Sequence, residues 1–304
     1  MSSLREGQDI PSLHPDTSIG LVTLTISDMN RSVAFYQQVL GFQVLKRTEH
    51  MTILGSPENE PLLVLVEQAG AQPKPYSTTG LYHFAILVPS REDLARSLLN
   101  LAETRYPLSG ASDHAVSEAL YLSDPDGNGI EIYRDRPRSE WSWPNRQVQM
   151  VTDPLDLEGL LAEAERDSRP FEGLEPQTRI GHVHLQVADL RQAEEFYHGI
   201  LGFDVMQQFP GALFVSAGAY HHHIGMNTWN SRGAPRPPAN AAGLRYFTIT
   251  LPGESELARV VSRLEAAGVP FEPRTGNIAL NDPWGNGILL TVGPLRNLGQ
   301  VTAR

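Results

Sequence analysis

The chain has 304 residues, 40% of them hydrophobic and 19% charged, with a net charge of −11 and no Cys. That length fills one large domain or two ordinary ones, and an anionic surface is the wrong sign for a nucleic-acid footprint. The lack of Cys excludes disulfides and thiolate metal sites, so any metal must be held by His, Asp or Glu.

No run of 18 apolar residues exists to span a membrane, and the opening MSSLREGQDI carries no apolar signal-peptide core, so the expected location is the cytoplasm. After a lead-in over 1–18, residues 19–45 (IGLVTLTISDMNRSVAFYQQVLGFQVL) read as a strand, a helix capped by Asp28, and a Gly-Phe step into a second strand. Residues 114–131, HAVSEALYLSDPDGNGIE, read as strand, turn and strand. Ala119, Tyr121 and Ser123 alternate with Leu120 and Leu122, and Asp-Pro-Asp-Gly-Asn-Gly is turn chemistry. Folding that turn places Tyr121 and Glu131 on neighbouring strands, where both face one cleft.

A connector over 135–178 begins rich in Pro and Trp and continues as DPLDLEGLLAEAERD. Its pattern predicts a helix capped by Asp153, with Leu155, Leu157, Leu160 and Leu161 on the apolar side. Residues 180–206 then repeat residues 19–45 at a constant offset of 161, with eleven of 27 positions identical, among them the cap position Asp28/Asp189 and the Phe-Tyr and Leu-Gly-Phe groups. A weaker repeat relates 80–94 to 243–257 and 122–133 to 280–291. The chain therefore reads as four modules, near 19–70, 80–134, 180–230 and 241–293, in two halves (19–134 and 179–293) followed by a tail over 294–304. Within AYHHHIGMNTW (219–229), strand alternation sends His221 and His223 to one face and His222 to the other.

The fourfold repeat resembles the vicinal oxygen chelate superfamily, and 114–131 resembles the signature of its extradiol ring-cleaving dioxygenases, departing from it at Ser112. The His-rich run is similar to that of the Bacillus-type catechol dioxygenases. The resemblance covers nearly the whole chain apart from its ends and the connector. It implies an α+β fold of four βαβββ modules forming two half-open barrels, with metal ligands on the first and last strands of a module. Those places hold His83, Glu131 and His182, two imidazoles and a carboxylate, which is the facial set of non-haem Fe(II) oxygenases. Mn(II) accepts the same set. His184, two residues on along the same face, is the competing choice for His182.

The matching places in modules one and four are Leu21, Tyr246 and Leu289, which form no ligand set. One metal site then requires modules two and three to share a barrel and modules one and four to form the other. Taken singly, each ligand has a plainer reading, a hydrogen-bonded core His or a Glu paired with an Arg. All three at matching places of a repeat favour the metal.

The resemblance further implies an acid–base His, assigned to His223 with His222 as the alternative, a hydrogen-bonding Tyr121, and a substrate-contacting His114 whose place near a loop is also compatible with solvent exposure. The function implied is Fe(II)-dependent opening of catechol or a simple substituted catechol by O2, giving a muconic semialdehyde. The expected partners are a small aromatic diol and O2, in a homo-oligomer that covers open sheet edges. Three other functions remain in view: a hydroquinone-cleaving dioxygenase, a glyoxalase-like metal isomerase, and a metal-free small-molecule binder.

Overall fold

The computed structural model describes residues 12–58, 60–167, 169–274 and 276–295. Most of the lead-in (1–11) and most of the tail (296–304) lie outside the described residues. Each module is a strand, a helix and three strands. Module one comprises β1 (Ser18–Ile26), α1 (Met29–Gln38), β2 (Gln43–Arg47), β3 (Met51–Gly55) and β4 (Pro61–Glu67). Module two comprises β5 (Gly80–Leu87), α2 (Arg91–Glu103), β6 (Gly110–Asp113), β7 (Ser117–Ser123) and β8 (Gly129–Asp135). The connector supplies β9 (Asp153–Pro154) and α3 (Leu157–Asp167). Module three comprises β10 (Arg179–Gln186), α4 (Leu190–Glu194, continued by a wider turn over Glu195–Ile200), β11 (Asp204–Phe209), β12 (Ala212–Ser216) and β13 (Ile224–Asn227). Module four comprises β14 (Gly243–Leu251), α5 (Glu254–Ala266), β15 (Phe271–Arg274), β16 (Asn277–Asn281) and β17 (Gly287–Val292).

The repeated helices start where the sequence places them. Asp28 Oδ1 accepts from Arg31 N at 2.8 Å, and Asp189 Oδ1 accepts from Gln192 N at 2.9 Å. The connector departs from its predicted pattern. Asp153 is not a cap: with Pro154 it forms a short strand antiparallel to β6, pairing Asp113 and Ser112. The helix starts four residues later, where Asp156 Oδ1 receives Gly159 N at 2.9 Å. Its buried line is Leu160 and Ala164 against α2, while Leu157 stays 39% exposed. Strand pairing of Asp153 and Pro154 leaves Leu155 outside the helix, and packing against α2 selects the Leu160–Ala164 line.

Pairing between modules is nested, as the distribution of candidate ligands requires. One sheet runs β15-β16-β17-β14-β1-β4-β3-β2, joining modules four and one. The other runs β11-β12-β13-β10-β5-β8-β7-β6-β9, joining modules three and two with the connector strand at its edge. Both are mixed sheets curled into half-open barrels, with a shared apolar core of sheet and helix residues between them.

Two matching clamps tie the barrels together. Asp124 Oδ1 closes its turn by accepting from Asp126 N (2.9 Å) and Asn128 N (2.8 Å), and Asp124 Oδ2 takes the hydroxyl of Tyr36 on α1 at 2.9 Å. Asp282 repeats this with Trp284 N, Asn286 N and Tyr197 OH, the last at 3.1 Å. The first clamp fixes the turn that feeds β8, and β8 carries Glu131.

Candidate metal centre

Three neighbouring strands converge on Ala85. In register, β8 sets Glu131 beside Ala85, and β10 sets His182 beside it from the other side. His83 is two residues from Ala85 along β5, hence on the same face. The small Ala85 side chain leaves room above the sheet for the three longer ones to meet. Glycine makes the close approach of the strands possible: a Cβ on Gly129 would lie 2.0 Å from Tyr82 O, and one on Gly181 would lie 1.7 Å from Tyr133 Oη.

Candidate ligand atoms of His83, Glu131 and His182 all fall within 4.8 Å of one another, the one such group of His, Asp or Glu among the described residues. His83 Nε2 lies 3.0 Å and His182 Nε2 3.1 Å from Glu131 Oε2. Ligands on adjacent corners of an octahedron with bonds near 2.1 Å stand about 3 Å apart, so this spacing fits a facial set. The side chains are 8%, 3% and 1% exposed for His83, Glu131 and His182. His83 Nε2 and His182 Nδ1 are both buried without a hydrogen-bond partner. Of these, His83 Nε2 faces Glu131, and a buried ring nitrogen left without a hydrogen bond there is costly unless something such as a cation occupies it. Burial alone would raise the Glu131 carboxyl, but His182 and His83 beside it hold it well below the usual carboxylate range. Burial pushes the His182 imidazole down to about 4, with Glu131 offsetting part of that shift. At neutral pH the set is thus a carboxylate with an unprotonated His182, the state a metal needs.

His184 is held differently. Its Nε2 accepts from Asn227 Nδ2 at 3.0 Å, and its ring packs 4.9 Å from that of His83. It lines the cavity but stands apart from the three converging residues. In the other barrel, Leu21 packs with Met51, Ile53 and Val64 against Tyr246, and Leu289 is 4% exposed, so that interior is apolar.

Tyr121 and Glu131 are direct partners across β7 and β8. His114 sits at the same rim, half-buried rather than solvated. His114 Nδ1 is 2.6 Å from Val151 O and His114 Nε2 is 2.6 Å from Tyr121 Oη. A carbonyl only accepts, so Nδ1 carries the hydrogen and Nε2 accepts from the phenol. Burial, then the Glu131 charge, raises the Tyr121 hydroxyl well above its ordinary value, which keeps it a donor.

The structure does not bring His223 to this cleft. His223 Nδ1 accepts from Ser216 Oγ (2.9 Å) and Ala217 N (3.2 Å), its ring packs 5.0 Å from Tyr220, and burial pushes the imidazole down to about 3. His222 lines the cavity instead, with its ring 4.1 Å from that of His182. The strand alternation expected through 221–223 fails because β13 begins only at Ile224, and the three histidines lie in the turn before it. His221 and His222 face each other, Nδ1 to Nδ1 at 2.8 Å, and His221 Nε2 lies 2.9 Å from Asp135 Oδ1.

Asp135 was not among the residues the sequence singled out, although its signal was present. Glu131, Tyr133 and Asp135 alternate along β8 and share one face. Tyr133 and Tyr220 join the same network through their hydroxyls, 2.7 Å apart, and Tyr220 Oη reaches Asp135 Oδ2 at 2.9 Å. Above the triad lies a cavity of about 560 Å³ bounded by module two, module three and the connector, a volume in the range of small-molecule sites.

Comparison with known proteins agrees with this architecture. The family described as the Glyoxalase/Bleomycin resistance protein/Dioxygenase superfamily matches residues 18–132 and 179–290. A catechol-2,3-dioxygenase of Bacillus subtilis (strain 168) is 49% identical over 276 residues, spanning 90% of this chain and 96% of that protein. Glyoxalase I of Zea mays superposes with a TM-score of 0.55 at 14% identity, over 91% of this chain and 92% of its own. A Bacillus subtilis crystal structure reaches a TM-score of 0.67 at 14% identity, over 93% and 86% of the two chains. Fourfold module, nested barrels and family match coincide, and the chain belongs to the glyoxalase, bleomycin-resistance and dioxygenase superfamily, the vicinal oxygen chelate fold.

Proposed function

We propose that the chain is an extradiol dioxygenase that holds Fe(II) on His83, Glu131 and His182 and opens catechol, or a simple substituted catechol, with O2 to a muconic semialdehyde. The observation that carries the reading is the convergence of the buried His83 and His182 imidazoles, each with its Nε2 about 3 Å from the ionised Glu131 carboxylate, in a chain aligned almost end to end with a catechol-2,3-dioxygenase. Iron bound there supplies a template and charge stabilisation for the diol and O2, with Mn(II) as the alternative ion.

The protein's own groups account for the protons. Asp135 accepts from His221 Nε2–H, which leaves His221 Nδ1 as an acceptor for His222 Nδ1–H. His222 Nε2 is then a free lone pair at the cavity, placed to take the proton of a diol hydroxyl and later return it. His222 therefore takes the acid–base role. Tyr121, donating to His114, has an oxygen free to accept from substrate, and His114 holds that phenol in place through Val151 O. Because a metal-free binder would have no use for the converging nitrogens, the metal reading is preferred. No helix among the described residues is long and apolar enough to cross a membrane. We place the enzyme in the cytoplasm as a homo-oligomer built on its open sheet edges.

Anaerobic loading with Fe(II), then catechol and O2, tests the reading. A ring-opened semialdehyde absorbing in the visible range is expected. Stoichiometric iron without ring opening of any catechol refutes it.

A further inference from the structure

Six large apolar side chains stay exposed among the described residues: Tyr76, Tyr82, Trp143, Leu157, Phe209 and Trp229. Three of them, Tyr82 (38%), Phe209 (39%) and Trp229 (53%), line the cavity that also has His83 and Glu131 in its wall. Tyr82 and Trp229 meet edge to face at 5.5 Å, and Phe209 rests on Phe214 at 5.9 Å, so the three are braced against neighbours. Gly211 adds to this, since its backbone passes the Trp229 indole where a Cβ would lie 3.1 Å from it. Aromatic rings held open to water at a binding cleft gain stability when an apolar group covers them.

The charges around the cavity point the same way. Among the described residues, no Lys or Arg lines it. Arg134 and Arg136, at the end of β8, are engaged with Glu118 and Asp113. Lys74 Nζ is turned onto Gln186 Oε1 at 2.5 Å and is not part of the wall. A carboxylate on the ring substituent would find no Lys or Arg side chain along the cavity wall to pair with, within a chain whose net charge is −11.

We infer that the site takes neutral catechols bearing an apolar ring substituent, alkyl or aryl, which lies against Tyr82, Phe209 and Trp229, and that it discriminates against catechols bearing a carboxylate. This inference rests on the extradiol reading and adds the substrate class. Trp229 is also a built-in reporter, because a ligand covering its indole changes its emission.

The test is anaerobic titration of the iron-loaded protein, where no turnover occurs, with catechol, 4-propylcatechol and 3,4-dihydroxyphenylacetate, following tryptophan emission and calorimetric Kd. Each buried methylene is worth about fourfold in binding, so 4-propylcatechol should bind at least tenfold tighter than catechol. The carboxylated diol should bind at least tenfold weaker than 4-propylcatechol. In Trp229→Ala and Phe209→Ala the preference for the propyl compound over catechol should shrink towards unity. Equal or tighter binding of 3,4-dihydroxyphenylacetate, in a protein that still cleaves catechol, overturns the substrate class and leaves the extradiol reading standing. A propyl preference that survives both aromatic substitutions overturns the placement of the substituent. If no catechol binds at all, both readings fall together.

Discussion

In the barrel of modules two and three, the central strands turn His83, Glu131 and His182 inward around Ala85. At the matching places the barrel of modules one and four holds Leu21, Tyr246 and Leu289, closed over by Met51, Ile53 and Val64. Topology and register repeat, yet one interior carries orphaned nitrogens beside a cavity and the other is apolar. Module geometry alone therefore does not make a site. Three side chains make the difference, and on the proposed reading a cation offsets the cost of burying them.

The sharpest way to break that comparison is to remove a ligand. His182→Ala, and separately Glu131→Gln, should lose bound iron and all turnover while circular dichroism stays unchanged; His184→Ala should keep its iron. Full iron in His182→Ala with loss in His184→Ala would transfer the ligand role to His184. The converse experiment writes the charge into the sealed barrel. Leu289→Glu should destabilise the protein by at least about 3 kcal/mol in chemical denaturation, because an unpaired carboxylate enters an apolar interior. A neutral effect would mean that this barrel admits water or ions.

Next come the histidines around the live site. His222→Phe should keep iron and bind catechol but turn over about 10²–10⁴-fold more slowly, the usual worth of a general acid or base. His223→Phe should leave turnover within a few-fold and show its effect in stability, through the lost Ser216 and Ala217 contacts. The opposite ranking would restore His223 to the role and overturn the cavity assignment. Asp135→Asn should be milder, about 10- to 100-fold in rate, as for an outer partner that orients a functional imidazole; an unchanged rate would show that His222 needs no orienting chain. Smallest are Tyr36→Phe and Tyr197→Phe, each expected to cost about 1 kcal/mol for one hydrogen bond. Only Tyr36→Phe should also loosen iron, because its clamp holds the turn before β8.

The fold was largely legible because repetition amplifies weak signals. The pattern of strand, capped helix and Gly-Phe recurs at an offset of 161, and the nested pairing follows from where His83, Glu131 and His182 stand. Tyr121 and His114 were legible because they lie on a hairpin whose register the turn fixes. His222 and Asp135 were harder to see. The histidine run lies in a turn, where period-two reasoning has no purchase, and Asp135 meets His221 and Tyr220 from 86 and 85 residues away in sequence. The connector misled for a related reason: a plausible cap at Asp153 lost to long-range pairing with β6.

Nested pairing also gives the molecule an unusual seam. Cut within the connector, the chain would yield two fragments, each retaining one Tyr–Asp clamp and contributing strands to both barrels. The first fragment carries His83 and Glu131, and the second carries His182. Neither has the full triad, so iron uptake would appear only on mixing and would titrate to a one-to-one ratio. On the proposed assignment, a metal held by all three residues would join the two fragments across β5 and β10, the strands where modules two and three meet.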